Sequence, residues 1–461
     1  WVIKGDLIYR VQDWHDAYGP VVRVAPNELS FKNPEAWKDI YGRKTSEGRY
    51  EIPTHKPYYD PLDQPNSLLV APREHHDWLR KIISPGFSDR TIRAQEENLG
   101  QYVDLLMEQL SAQCTSADNN RVNMADWMTF CTFDIIGSLT FGSDFDCLRT
   151  GKYHPWVHTI ISTLRELTFL RALEAMGMSA VVKFLIFTVG IGAKQFKEQE
   201  AITMSKMNAR LKMGTEKNDF MDELIKAKVD PSELHRHVGL FVIAGSETSA
   251  TLLTGAVYLL ATNPEAYKKW QDEVRNTFEK ESDITLLTVN KLDYMLAVLK
   301  EALRLYPPVA GAPARMVPKG GATIAGHFIN EGTEVGIYQW AVNHDEEFFF
   351  DAHKFDPDRC LHRASVIKES EDGVLDEDFD KSNIVKKYAN DRMDVLNPFL
   401  IGPRNCIGQN LAYAEMRLIL ARLAFRFDFE LCEESKDWLR GQKNFLLWEK
   451  PDMFVRLKER A

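Results

Sequence analysis

Near the C-terminal end of the chain, the ten residues Phe399-Leu400-Ile401-Gly402-Pro403-Arg404-Asn405-Cys406-Ile407-Gly408 run straight into a helical repeat. Leu411, Ala414, Leu418, Ala421 and Phe425 recur three and four apart, which gives that helix one apolar face. Cys406 therefore stands just ahead of a helix N-terminus, where free N–H groups and the helix dipole favour a thiolate over a thiol. Gly402 and Gly408 allow a tight turn and a close backbone approach to a flat ligand. Phe399 is placed to shield the sulfur from water, and Arg404 offers a fork for a carboxylate. A lone cysteine is usually a small buried hydrophobe, and that reading fits Cys114, Cys131, Cys147, Cys360 and Cys432. The spacing Phe-x-x-Gly-x-Arg-x-Cys-x-Gly sets Cys406 apart.

The rest of the chain limits what this loop can belong to. No Cys-x-x-Cys pair occurs, which argues against a disulfide scaffold or a structural zinc site. Of 461 residues 44% are hydrophobic, too many for disorder, and a net charge of −10 argues against a nucleic-acid binder. No run of about 20 uncharged apolar residues exists to span a bilayer. The best candidate, Ala180 to Ala193, is short and carries Lys183, so a buried or surface helix is preferred to an interfacial one. The chain begins at Trp1, and we expect an N-terminal segment to have been trimmed.

The first seventy residues read as short strands and turns, with Val21–Val24 and Glu28–Phe31 the clearest. From about Glu74 to Phe278 the helical period dominates, broken at Pro85, at 118–120, at Pro155 and at Pro231. Strands and glycine turns return between Ala310 and Val335, and the tail from Phe445 to Leu457 again looks like strand and turn. The acidic stretch Lys368 to Lys381 reads as a solvated surface insertion.

The cysteine loop resembles the haem-binding loop of the cytochrome P-450 family, in which a cysteine thiolate is the proximal ligand of haem iron. Further segments carry the same resemblance. Ala244-Gly245-Ser246-Glu247-Thr248-Ser249 lies within a long apolar helix from about Leu234 to Thr262. An acid followed by an alcohol is unfavourable there; read alone, it is a glycine kink with incidental polar residues. The resemblance implies a distal haem face, with Glu247 and Thr248 helping to deliver protons to bound dioxygen. It also places Ala244 against the haem and makes Gly245 the point where the helix opens. Glu301 and Arg304 share a helix face and alone would be an exposed ion pair. The family adds a downstream arginine, here Arg359 in Phe355-Asp356-Pro357-Asp358-Arg359, to form a structural trio. His76, Arg80, Arg315 and Arg404 are the implied partners of the haem propionates. His75 is expected to be exposed and Trp78 to pack. The first strands, from Tyr18 to Phe31, and Phe133-Asp134-Ile135-Ile136-Gly137 look like fungal microsomal members.

The resemblance implies a mainly helical fold with a small β lobe and haem b buried between the long distal helix and the cysteine loop. Length alone suggests several domains, but residues from His76 to Gly408 must then converge on one haem, so a single domain over 1–461 is expected. Its β-rich parts are about 18–70, 310–340 and the tail; its helical parts are about 74–306 and 408–427. The implied activity is insertion of one oxygen atom from O2 into a lipophilic small molecule, in fungal secondary metabolism. Electrons would come from NADPH through a separate reductase, since no Gly-x-Gly-x-x-Gly is present. Arg80, Lys81 and Arg90 are candidate docking residues for that partner. Phe241, Ala244, Val309, Ala310, Gly311, Leu446 and Leu447 are candidate pocket residues, with core packing as the alternative for each. A monomer on the cytosolic face of the endoplasmic reticulum membrane is the expected setting. Two other readings are a reductase-independent isomerase or dehydratase of the same fold, and a non-enzymatic haem carrier or sensor.

Overall fold

The computed structural model describes residues 1–43, 50–59, 67–115, 120–184, 193–215, 219–361 and 387–460. The acidic stretch 368–381 lies outside them, as does most of 185–193.

A 31-residue helix, Pro231–Ala261, runs through the molecule. Pro231 opens it, at a position where no N–H partner is lost. Asp230 caps it by accepting from the Ser232 amide at 2.9 Å. Its first half is buried on one side, and from Ser249 to Leu260 every residue is buried. That full enclosure explains why this helix, alone among the described residues, is long and apolar enough to cross a membrane. Met124–Phe141 packs along it, also apolar on nearly all sides. Gly245 sits at their contact, where an added Cβ would lie 2.6 Å from Ile136 Cδ1. The helix is continuous through Gly245. The expected opening is absent, and the glycine serves close approach instead.

Four strands form the main sheet in the order β1 (Val21–Ala25), β2 (Glu28–Phe31), β7 (Glu334–Gly336), β4 (Arg315–Met316). β2 and β7 are parallel, with Glu28 opposite Glu334. β5 (Ala322–Ile324) and β6 (His327–Ile329) make a hairpin beside it. In the tail, β9 (Lys443–Phe445) and β10 (Leu447–Glu449) form a second hairpin. β11 (Phe454–Glu459) pairs with both β8 (Phe427–Leu431) and β3 (Arg121–Asn123).

The helix breaks at Pro155 and Pro231 fall where the sequence puts them. Two departures stand out. The first seventy residues hold helices Leu7–Tyr18, Pro34–Tyr41 and Lys56–Tyr59 as well as strands. They bury sparse but helical sets, Ile8, Val11 and His15 in the first and Ala36, Trp37, Ile40 and Tyr41 in the second. β3 interrupts the helical region because the distant β11 supplies its ladder.

Two large apolar cores result among the described residues, beside a small cluster of Leu170, Leu173 and Val182. The larger joins the helices to the tail, and the smaller lies against the main sheet around Phe31, Trp37, Tyr41 and Phe349. Phe399 and Ile407 pack on the larger core and Leu400 and Ile401 on the smaller. The cysteine loop is thus set at the seam.

Candidate active site

The loop is held by backbone before any side chain acts. The Cys406 amide donates to the Phe399 carbonyl at 2.8 Å, closing the loop on itself. Gly402 has φ +77, and a Cβ there would fall 2.0 Å from the Tyr41 carbonyl oxygen, so only glycine fits. Gly408 has an ordinary φ of −84 and caps the helix Gln409–Arg426. Its amide donates toward the Cys406 sulfur, which holds the thiol pKa down, as does the Arg80 charge. Burial outweighs both and pushes the thiol up, against the expectation from the helix terminus alone. Cys406 nonetheless retains a large accessible surface, unlike the buried Cys131, Cys147, Cys360 and Cys432. Its sulfur therefore lines a space that the surrounding protein does not fill. Phe399 stacks obliquely on Tyr413 of the following helix, ring centroids 5.3 Å apart.

Basic side chains from three elements gather around this loop. Arg80, on helix Arg73–Ile83, donates to the Asn405 carbonyl at 2.5 Å and to its Oδ1 at 2.7 Å. It clamps the residue next to the cysteine. Arg404 pairs with Glu51 at 2.9 Å and donates to the Ala71 carbonyl at 2.8 Å. Arg315, on β4, donates to Thr54 Oγ1 at 3.1 Å. One N–H of each, Arg315 Nε and Arg404 Nη1, is buried without a partner among the described residues. The charge of Arg315 also holds the Arg404 pKa down, after burial. Glu51 is the one carboxylate ion-paired with these three arginines among the described residues. Buried, under-partnered guanidinium groups are costly, and two carboxylates would satisfy them. The residues fit a haem with its two propionates. His76 is buried, and burial first, then the Arg404 charge, lowers its pKa to about 4. It offers a hydrogen bond at neutral pH and no charge. His75 is half-buried and bonded to Glu233, while Trp78 is exposed and stacked on His75, the reverse of expectation.

The expected distal residues lie in the middle of the long helix. Ala244 is exposed and Thr248 half-buried, one turn apart on the same face, amid buried neighbours. The Thr248 hydroxyl donates to the Ala244 carbonyl at 2.6 Å. Glu247 does not share that face. Its carboxylate is buried and accepts from Lys450 Nζ at 2.6 Å. The acid and the alcohol expected to act side by side thus point to different partners.

Glu301, Arg304 and Arg359 meet with no exposed side-chain surface. Arg304 bonds both carboxylate oxygens of Glu301, at 2.7 and 2.9 Å, and Arg359 reaches the same group at 3.0 Å. Arg304 also donates to the carbonyls of Asn343, Ala352 and Lys354, tying helix Asp293–Leu305 to the segment before the cysteine loop. Asp391, which the sequence motif did not flag, is the second carboxylate and pairs with Arg359. Two acids then balance two arginines.

Among the candidate pocket residues, Ala310 has no accessible surface and Phe241 has 5%. Both are core: Phe241 packs against Phe87 and Phe220, and the Ala310 carbonyl accepts from the Trp340 amide at 3.0 Å. Val309, Leu446 and Leu447 are half-buried. Leu446 forms the tip of the β9–β10 hairpin with φ +75, a strained value for leucine.

Comparison with known proteins bears on this geometry. The family model described as Cytochrome P450 matches residues 1–456. A cytochrome P450 monooxygenase, tpeC, of Talaromyces stipitatus is 39% identical over 99% of this chain and 86% of its own length. The trichothecene C-15 hydroxylase of Fusarium sporotrichioides is 39% identical over 96% of the chain and 86% of its own length. The averantin hydroxylase of Dothistroma septosporum is 36% identical over 100% of the chain and 83% of its own length.

Proposed function

The chain belongs to the cytochrome P450 family, a haem-thiolate monooxygenase of fungal secondary metabolism, and from that premise we propose that Cys406 is its thiolate ligand. One observation carries the assignment. Cys406 keeps accessible surface in a loop clamped by Arg80, and beside it Arg404, with Arg315 close enough to lower its pKa, carries an N–H group without a partner among the described residues, as Arg315 does. Haem, when bound, supplies dioxygen activation, placing one oxygen atom in the substrate and releasing the other as water, with electrons from NADPH through a reductase.

The chain's own residues do the rest. Arg315 and Arg404 hold the propionates through their free N–H groups, His76 adds a neutral donor, and Arg80 fixes the cysteine loop through Asn405. The amide of Gly408 and the charge of Arg80 stabilise the Cys406 thiolate. Thr248 is the hydroxyl that donates on the distal side once it leaves the Ala244 carbonyl. Glu301, Arg304, Arg359 and Asp391 lock the loop's support. Val309, Leu446 and Leu447 line the substrate space, an apolar lining suited to a neutral terpenoid or polyketide intermediate. Two of the relatives are named as hydroxylases, which favours hydroxylation of carbon.

The protein works as a single-domain monomer on the cytosolic face of the endoplasmic reticulum membrane. Exposed Trp1, Ile3, Met176, Val181 and Phe184 offer apolar contact with lipid. Exposed Lys81 and Arg90 are available to the reductase, whereas Arg80 is committed to the cysteine loop.

The decisive test is the carbon monoxide spectrum of the reduced protein. Wild type should show the strongly red-shifted band of a thiolate ligand, and Cys406→Ser should lose it. Retention of that band in the serine variant places the ligand elsewhere. Screening lipophilic compounds by haem spin-state shift, with product analysis in the presence of reductase, then identifies the substrate.

A further inference from the structure

Lys450 follows β10, and its side chain is buried against the long helix with only 7% exposed. The ammonium donates to Glu247 Oε2 at 2.6 Å and to Thr251 Oγ1 at 3.0 Å. Both ends of the pair are rigid. Glu247 is mid-helix, and Lys450 is two residues past Trp448, whose indole N–H donates to the Pro307 carbonyl at 2.7 Å. A buried carboxylate so tied cannot swing freely, because leaving its counter-charge strands both groups in a poorly solvated place.

Two phenols on other elements feel the charge of the same carboxylate while their hydroxyls donate elsewhere, that of Tyr306 to Gln442 Oε1 at 2.6 Å. The pKa values of Tyr153, on helix Pro155–Ala175's N-terminal approach, and of Tyr306, at the end of helix Asp293–Leu305, are both pushed up by burial, with the Glu247 charge adding to it. Tyr153 in turn donates to Asp126 Oδ1 at 2.5 Å. Asn123 donates to Asp126 at 2.8 Å and to the exposed Asp452 at 2.9 Å. A file of hydrogen-bonded polar groups thus leads from solvent at Asp452, through Asn123 and Asp126, to Tyr153. It enters from the side of the tail, not through the substrate space.

We propose that Lys450 is a positioning residue for the monooxygenase reaction: it fixes the Glu247 carboxylate against Thr251 of the long helix and so governs how protons from solvent reach the distal face. Each turnover converts R–H and O2, with two electrons and two protons, to R–OH and water. The protons come from solvent, and the ion pair with Lys450 fixes where the Glu247 carboxylate stands beside their route to the distal face. The inference rests on the assignment of Thr248 to the distal face.

The test uses the full chain loaded with haem, with reductase and a substrate found by spin-state shift. Lys450→Met should keep the thiolate carbon monoxide band and the substrate-induced spin shift. Product per NADPH should fall about tenfold, with hydrogen peroxide rising in its place. Lys450→Arg, which keeps the charge, should restore coupling. Thermal unfolding supplies a readout independent of turnover: Lys450→Met should lower the midpoint, and Glu247→Gln added to it should recover the loss. If Lys450→Met fails to fold, the double variant carries the test, since it should fold yet remain uncoupled. Normal coupling in Lys450→Met, or in the double variant, overturns the proposal. Thr248→Ala separates the two readings. If it too couples normally, the distal assignment is wrong; if it uncouples while the Lys450 variants do not, only the role of Lys450 falls.

Discussion

A single carboxylate, Glu301, takes three charge-assisted hydrogen bonds from two arginines and a fourth, at 3.2 Å, from the Asp356 amide, all out of water. Removing it leaves Arg304 and Arg359 with a surplus charge that nothing nearby can solvate. Glu301→Ala should therefore cost about 3–5 kcal/mol, read as a lower denaturant midpoint, and should yield protein without haem. Normal haem incorporation in that variant would sink the assignment. At this scale the sequence is legible where a motif has fixed spacing. Glu301 and Arg304 lie three apart, and Arg359 sits in its own five-residue pattern. Asp391 escapes because the 362–386 segment separates it from Arg359 and no local pattern marks it. Lys450 escapes for a related reason. One lysine after an aromatic strand looks like any surface cation, and only the fold brings it to Glu247. His76 was legible as a position but not as a charge state, which depends on burial and on Arg404.

Between elements, contact geometry decides. Gly245 is the point where the long helix meets Met124–Phe141, and Gly245→Ala should cost about 1–3 kcal/mol by overpacking against Ile136. Chemical denaturation of that variant, of Ile136→Ala and of the pair should show the double loss to be smaller than the sum. Additivity would mean that the two side chains do not compete for the same space. Glu415 offers a pH test of another helix contact. It lies on Gln409–Arg426, bonded to Ser249 of the long helix, and burial raises its pKa from 4.5 to about 8. The folded chain thus holds this proton more tightly than the unfolded chain. Its contribution to stability is complete below 4.5 and is lost as pH rises through about 8. Glu415→Gln should flatten the fall in melting temperature over that range; an unchanged slope would show that Glu415 is not the group responsible. The sequence located these long helices well, since their apolar repeats are long and their proline starts are sharp. It missed Leu7–Tyr18 and Pro34–Tyr41, whose few buried positions are too short a sample to reveal a period.

On the scale of the molecule, the tail closes structures opened far upstream. β11 is the middle strand of a sheet whose edges, β3 and β8, begin more than three hundred residues apart, and Met453 also donates to Asn123 Oδ1 at 2.9 Å. Deleting 454–461 would leave both edge strands without a partner and uncover Val122 and Phe429. We expect such a truncation to give little soluble haem protein; a normal carbon monoxide spectrum from it would show the sheet to be dispensable. Strand pairing over such a distance cannot be read from a local window, so β3 was invisible, while β11 was recognisable by alternation alone. The convergence of His76, Arg315 and Cys406 was legible only through resemblance, because composition does not say which distant segments meet.

The hairpin tip at Leu446 has a consequence for how such an enzyme diversifies. Its left-handed backbone penalises leucine, while Lys443 to Asp6 at 2.6 Å and Trp448 to Pro307 hold the strands on either side. Exchange to glycine or asparagine there relaxes the backbone and alters the shape offered to a substrate in one step. At most positions a new specificity is obtained at the expense of the scaffold. Here a mutational walk can change what the enzyme accepts while moving downhill in folding, which makes this turn a natural entrance for new chemistry.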